Sequence, residues 1–557
     1  MIPKWLNGTL AVITCALLPV ARSPELASSR SCRGIEEPIQ GSFQLILIGL
    51  ALQTIYVLYI VAFPLISNTK LGFPVDLEIL IRDNRWFAPV YFVGVLLLYY
   101  LFWQAMQLVQ NISRFTLHAS RFKIIVLAFG LLFGFTLVWL YPITANDLFR
   151  CVLRGRVWAV YGASPMLSPP NDFPDDPYIA FAGEFGHWVS GYGPLWEILV
   201  QVPLRLGATE MVPGAISLKL LVLLFFLLCA ILIGWLAVPE KSPSSINPTY
   251  PCSPSSLTAL TFFAWNPLIL MQGPGNGHND MVFMALMVLG IILWQRKSKN
   301  PLSWWGAAVA LTLAALAKAT ALLMIPLFGV LLLRSEPTWQ QRIFKGLAAA
   351  LTGLVLAYLI YSVLGPISEA IQGVSAMLTT RRGFAIASGL RVVLREIIPR
   401  DVAETLPRTT GRYIFLVFYA WLMVQLWRNK LNLVTAGFLA YFSQLMLGRT
   451  FRIWYPTWLV PLAAIHLTAA TFWRTLLFGL TAELFTVNTF VWRWWLRSLP
   501  WGKFGPLSPY WNFWTVMYTL TVPWVFGIPL FGPIVLKGVR KKPVEEPHQD
   551  KKRTSQT

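Results

Sequence analysis

Long stretches of the chain are apolar at almost every position, without the three-to-four-residue rhythm of an amphipathic helix or the two-residue alternation of a half-buried strand. VYFVGVLLLYYLFWQAMQLV (90–109), FKIIVLAFGLLFGFTLVWLY (122–141) and LKLLVLLFFLLCAILIGWLAV (218–238) each reach the roughly 20 residues that a helix needs to cross about 30 Å of hydrocarbon. Unpaired backbone groups are not tolerated in lipid, so the predicted elements are helices. The pattern places spans near 43–66, 88–109, 122–142, 216–238, 257–272, 280–294, two short ones within 303–333, then 344–364, 411–427, 431–447, 455–472, 475–491 and 512–537. The expected fold class is all-α: a polytopic integral membrane protein of about 12–14 transmembrane helices. Its domains read as an N-terminal segment (1–41), a transmembrane domain (42–538) that includes a long loop at 143–215, and a basic tail (539–557). The apolar stretch 10–21 is compatible with a signal-type core or an interfacial helix.

Composition agrees with this pattern: of 557 residues, 56% are hydrophobic and 12% charged, more oil than a soluble domain of this size needs. The formal charge of +21 would suggest nucleic acid in a soluble protein. Here the lysines gather in short clusters between apolar runs (114–123, 295–300, 334–345, 427–430 and the tail), which is the signature of cytoplasmic loops. No nucleic-acid partner is expected. The five cysteines, Cys15, Cys32, Cys151, Cys229 and Cys252, show no CxxC pair and read as small apolar fillers.

The opposite connections carry Arg150, Arg154, Arg156, Arg381, Arg382, Arg391, Arg395, Arg449 and Arg452, nearly all arginine. A guanidinium fork suits two oxygens of a phosphate, so arginines kept against the topology preference point to an anionic ligand on the outer face; lipid headgroups are the alternative. In PITANDLFRCVLRGRVWAVY (142–161), a juxtamembrane helix from residue 147 would set Asp147, Arg150, Arg154 and Tyr161 on one face and end at Gly162. Asp147 suits both a helix cap and a catalytic carboxylate. Downstream come Asp172, Asp175, Asp176 and Glu184, most of which sit among prolines and read as solvated turn residues. GPGNGHND (273–280) runs glycine-rich backbone into a helix start at His278, Asn279 and Asp280, a tight turn or an oxyanion site. Lys318 falls at the tip of two short apolar segments, and Arg449 and Arg452 flank Trp454, Tyr455 and Trp458, aromatics that suit a membrane boundary or a sugar ring.

Together, ND-x-F-R-x-V-x-R-G-R with Tyr161, YGPLWE (192–197), NPLILMQGPGNGHNDMVFMAL (266–286), AKATALLMIPL (317–327) and RIWYPTWLVPL (452–462) resemble the GT-C superfamily of membrane glycosyltransferases. The likeness is to the bacterial polyprenol-phosphomannose-dependent α-1,6-mannosyltransferases. The match covers about 300 residues in order; where the family often has D-x-Y, this chain has Asp147, Leu148, Phe149. The resemblance implies a polyprenyl-phosphate-linked sugar donor, a glycan or glycolipid acceptor, an extracytoplasmic catalytic face in the plasma membrane, and Asp147 as general base. Arg150, Arg154, Lys318, Arg449 and Arg452 would hold the donor phosphate, and Tyr161, Tyr192, His278, Asn279, Asp280 and Tyr455 the sugar or acceptor. No cofactor is expected; a divalent cation stays open but is not indicated, because the acids at 172–184 are not spaced as a clear ligand set. A carrier of lipid-linked sugars and a protein O-glycosyltransferase are the alternatives.

Overall fold

The computed structural model describes residues 33–75, 77, 79, 80, 84, 86–115, 119–237, 255–297, 300–372, 383–491 and 513–539. The apolar stretch 10–21, Cys15, Cys32, Cys252, Arg381, Arg382, the connection 492–511 and the tail beyond 539 lie outside them. The described elements are helical, with no β-sheet among them.

Three long apolar helices, α1 (Arg33–Ala62), α2 (Phe87–Phe115) and α3 (Ala119–Leu137), pack together, and a turn then leads into α4 (Asp147–Ala159). A loop with two 3-10 turns joins α4 to α5 (Pro194–Arg205), and α6 (Met211–Ile231) follows. Next come α7 (Ser256–Ala264), an irregular stretch over Pro267–Gly275, α8 (Asp280–Gln295), α9 (Ser303–Ala317), α10 (Met324–Ser335) and α11 (Trp339–Ser362). The C-terminal part adds α12 (Ile386–Leu394), α13 (Arg400–Trp427), α14 (Leu433–Leu447), α15 (Leu459–Ile465), α16 (Ala469–Val491) and α17 (Phe513–Val539).

The chain is an all-α polytopic membrane protein, but fewer of its helices span uninterrupted than hydropathy alone suggests. Among the described residues five stretches are long and apolar enough to cross, and a sixth is if Pro267–Gly275 and Asp280–Gln295 form one span bent by 120°. The other apolar helices are shorter because prolines, glycines and polar side chains break them. Residue 272, expected inside a span, sits in such a break. On α11 no residue is buried and Leu347, Leu351 and Leu354 stand exposed, as suits a helix whose surroundings are as apolar as leucine.

At three of the breaks side chains satisfy backbone groups that the helices leave open, as a low-dielectric interior favours. After α7, the Asn266 side chain accepts from the backbone amides of Leu268 at 3.1 Å and Ile269 at 3.4 Å, and Pro267 takes the first helical position, where no amide is needed. At the end of α3, the buried Lys219 ammonium donates to the carbonyls of Leu137 at 3.1 Å, Val138 at 3.2 Å and Leu140. A lysine in the middle of α6 thus caps a neighbouring helix C-terminus. Between α9 and α10, Lys318 is extended (φ −153°, ψ 124°) and a 3-10 turn follows, with Tyr441 donating to the Thr320 carbonyl at 3.3 Å and Tyr419 to that of Leu323 at 2.6 Å.

Candidate active site

Helix α4 lies across α5 and α6 and buries Leu148, Phe149, Val152, Leu153 and Val157, Phe149 against the rings of Tyr141 and Phe181. Asp147 occupies its first turn, where a negative charge is favoured, and no side chain caps the helix. Of the two roles open to Asp147, the cap is therefore not taken. Its carboxylate pairs with Arg150 one turn along, Nη1 to Oδ1 at 2.7 Å. The helix ends at Ala159, and Gly162, at φ +70°, turns the chain away as its amide donates to the Trp158 carbonyl at 3.1 Å.

Two partly separate clusters follow from this helix. The first surrounds Asp147. Arg154 lies buried one turn beyond Arg150, its Nε 3.8 Å from Glu197 Oε1 and its guanidinium 5.0 Å from the centre of the Tyr192 ring. Ser190 donates to the same Glu197 oxygen at 2.5 Å. Gly193 places Tyr192 there: a Cβ on it would stand 2.0 Å from the Leu316 carbonyl oxygen, so the start of α5 touches the end of α9. From the other side comes the turn before α8, where Gly277 (φ +73°) approaches Leu148 so closely that a Cβ would meet its side chain at 2.8 Å. That approach delivers His278, buried and stacked on Trp454 with ring centroids 4.1 Å apart. Trp454 in turn meets Tyr455 edge-on at 5.8 Å, and Tyr455 stacks on Trp458 at 4.3 Å.

Burial pushes the Asp147 carboxyl up, but the charges of Arg150, His278, Arg452 and Arg154 outweigh it and hold the group at about 2, below the ordinary carboxylate range. The Glu197 carboxyl goes the other way: burial raises it, and Arg154 and Ser190 recover only part of the shift. Around this acid several buried polar atoms have no hydrogen-bond partner: Arg150 Nε, Arg154 Nε, His278 Nε2, Asn279 Nδ2, Asn146 Oδ1 and Glu197 Oε2. Buried polar groups are normally satisfied, and six orphans on side chains that converge from α4, α5 and the turn before α8 mark a place built to contact something else.

In the second cluster the charges are paired. Asp280, at the start of α8, is buried and ion-paired with Lys318 at 2.8 Å, accepts from the Trp458 indole, and is flanked by Asn279, whose Oδ1 accepts from Lys318 at 3.3 Å. Lys318 thus stands in a neutral pair. Tyr161 does not join the Asp147 face, because the helix stops two residues before it; its hydroxyl donates to Asp176 at 2.9 Å and its ring stacks on Phe173 at 4.5 Å. Asp172, Asp175 and Glu184 are exposed as turn residues should be, but Asp176 is 3% exposed and is not a solvated turn residue. It takes an ion pair from Arg156 at 2.9 Å, which also donates to the Thr209 carbonyl at 2.5 Å, so this pair locks the loop to α4. In the 365–410 region, Arg391 and Arg395 both pair with Glu404.

Arg449 is exposed and lines a cavity of about 510 Å³ together with Leu322, Leu323, Pro326, Phe415 and Trp458. This largely apolar groove runs between α10, α13 and α14.

Glu197, Ser190 and Asn146 were not among the expected site residues. Glu197 left a legible signal: it lies on the stripe of Val200, Gln201 and Leu204, so an acid sits on the buried face of α5.

Residues 77–334 match the sequence profile of a family described as Alpha-(1->6)-mannopyranosyltransferase, N-terminal domain. The chain is similar to a mannosyltransferase. The matched span holds Asp147, Arg150, Arg154, Tyr161, Tyr192, His278, Asn279, Asp280 and Lys318, whereas Arg449, Arg452 and Tyr455 lie beyond it. A curated relative, Alpha-(1->6)-mannopyranosyltransferase A of Mycobacterium tuberculosis, is 24% identical over 343 residues, which are 60% of this chain and 58% of the relative. The chain therefore aligns with under two thirds of that protein's length. No solved structure matches.

Proposed function

We propose that the protein is a glycosyltransferase that moves a hexose, mannose by its similarity to the mannosyltransferases, from a polyprenyl monophosphate to a glycan or glycolipid acceptor at the extracytoplasmic face of the plasma membrane. The observation that carries this reading is the set of orphaned buried polar atoms around Asp147: one ionised carboxylate beside two arginines whose Nε donors make no hydrogen bond. The acceptor oxygen forms its bond to the anomeric carbon as the bond from that carbon to the phosphate oxygen breaks. The hydroxyl proton passes to Asp147, and the departing phosphate takes the charge, held by Arg150 and Arg154. The anomeric centre inverts.

Two further features support the reading. The apolar groove with Arg449 in its lining fits an isoprenoid tail better than a nucleotide. Helix α8 starts beside the site at Asp280 and ends at Gln295, next to Lys297 and the Glu336–Lys345 pair, so the lysine-bearing side lies about 24 Å away at 1.5 Å per residue. That separation suits a site on the side opposite the cytoplasm. For the carrier alternative a lysine inside a span would be suggestive, but Lys219 is fully engaged with helix carbonyls.

The test is acceptor-dependent release of polyprenyl phosphate from labelled polyprenyl-phosphate mannose by purified protein. Asp147→Asn should lower transfer by about 10²–10⁴-fold with donor binding retained. Turnover equal to wild type would remove Asp147 from the mechanism, and movement of the lipid-linked sugar without transfer would favour the carrier.

A further inference from the structure

Glu483 on α16 takes no part in the chemistry above, yet it is 1% exposed in the middle of a largely apolar helix. An acid in that setting is costly and is kept where it does something. Its Oε2 accepts from the Tyr91 hydroxyl of α2 at 2.6 Å, and its Oε1 accepts from Gln272 Nε2 at 2.7 Å. Gln272 sits in the irregular stretch before α8, itself completely buried.

The second half of the Gln272 side chain points to the site. Its Oε1 accepts from Asn276 Nδ2 at 2.8 Å and from Thr144 Oγ1 at 3.4 Å, and Asn276 also donates to Thr144. The Gln272 backbone carbonyl accepts from the His278 amide at 3.2 Å, next to the Gly277 amide on the Gly273 carbonyl at 2.7 Å. One side chain therefore touches both turns that carry the chemistry: the turn holding Thr144, three residues before Asp147, and the turn that ends in His278.

The direction of this chain of hydrogen bonds depends on the acid. Both oxygens of Glu483 accept, so it draws the NH2 of Gln272 toward itself and leaves the amide oxygen free for Asn276 and Thr144. An amide at 483 could present either end, and an apolar side chain neither. We propose that Glu483 is a positioning residue: acting through Gln272, it fixes the two turns that present Asp147 and His278 to each other. The hold on the turns stands on hydrogen bonds alone; its effect on rate rests on the function proposed above.

The experiment compares Glu483→Leu, Glu483→Gln, Gln272→Leu and Tyr91→Phe in purified full-length protein by two readouts. Hydrogen exchange at the Gly277 and His278 amides should quicken by about tenfold or more in Glu483→Leu and Gln272→Leu, no further in the double variant, and less in Glu483→Gln. With polyprenyl-phosphate mannose as donor, kcat should fall by about 10²-fold in Glu483→Leu, the loss typical of a small misplacement of catalytic groups, while KM stays within about threefold. Tyr91→Phe removes the other hydrogen bond of Glu483 and should keep kcat, although it lowers the melting temperature. A purely structural role would lower stability in all of them and spare kcat per folded molecule. Unchanged exchange at Gly277 and His278 in Glu483→Leu overturns the proposal, as does faster exchange with kcat intact. If wild type transfers no sugar from this donor, the functional reading fails, and the exchange comparison by itself decides whether Glu483 holds the turns.

Discussion

Arg150→Met removes the nearest cation acting on Asp147. The ion pair is 2.7 Å from nitrogen to oxygen, which puts the charge centres about 4 Å apart and their attraction at about 4 kcal/mol for an effective dielectric constant near 20. The Asp147 side chain is 22% exposed, so solvent screening takes a share, and about 2–4 kcal/mol corresponds to roughly 1.5–3 pKa units. From about 2 in wild type, the carboxyl should therefore rise to between about 3.5 and 5 in the variant. As the base of the proposed reaction, Asp147 must be ionised to work. In wild type its acid limb lies below the usable range and kcat/KM stays flat down to about pH 4; in Arg150→Met the limb enters that range and activity falls as the medium is acidified.

The stability consequence has a fixed sign. A folded-state value of about 2 against 3.8 for the free group means that the charges around Asp147, net of burial, contribute stability above pH 3.8, and that this is lost as the pH drops through 2. The net contribution is about 2 kcal/mol, and the variant, losing the Arg150 share of about 2–4 kcal/mol, forgoes it at neutral pH. Steady-state transfer from pH 3.5 to 8 on detergent-purified enzyme, with Arg150→Lys alongside, is the assay. Lysine keeps the charge but not the fork, so it should restore the flat profile while donor KM stays raised. An acid limb in Arg150→Met that remains below pH 3 would refute the electrostatic assignment.

Glu197→Gln leaves Arg154 buried without its counter-charge. The melting temperature should drop by the equivalent of about 3 kcal/mol, and polyprenyl phosphate should raise it more than in wild type, because its charge replaces the missing one. Lys318→Met strips Asp280 of its cation. The loss should be about 3–5 kcal/mol, with stability largely recovered in Lys318→Met/Asp280→Asn, as read by thermal unfolding. Gly193→Ala drives a Cβ into the Leu316 carbonyl and should cost about 3 kcal/mol, whereas Gly527→Ala, with open space around it, should be nearly neutral in the same measurement.

Uniform hydrophobicity was enough to place the long helices, and the local grammar of caps and breakers placed several of their ends: Asn266 with Pro267, Gly162 after α4, Lys318 between two short helices. What hydropathy could not show is which apolar runs are single spans. A run of leucines reads the same whether the chain crosses or breaks at a proline and re-enters, and the choice is made by partners far away in sequence, such as Tyr419 and Tyr441 waiting for the carbonyls after Lys318. The same limit applies to charge. Asp176 stands among prolines in a segment that reads as a solvated turn, and its burial depends on Arg156, 20 residues earlier, folding back against it.

The three arginines of α4 show why residue type alone does not assign a role. Arg150 and Arg154 follow Asp147 at steps of three and four residues and face it, each with an Nε that makes no hydrogen bond. Arg156, two residues further, points about 200° away around the helix, and there its fork is filled by Asp176 and the Thr209 carbonyl. An anion has donors to recruit from the first two and none from the third without breaking the loop. Helical phase therefore separates, within one turn of a single basic motif, the cations available to a ligand from the cation that holds the fold, and only the orphaned nitrogens tell them apart.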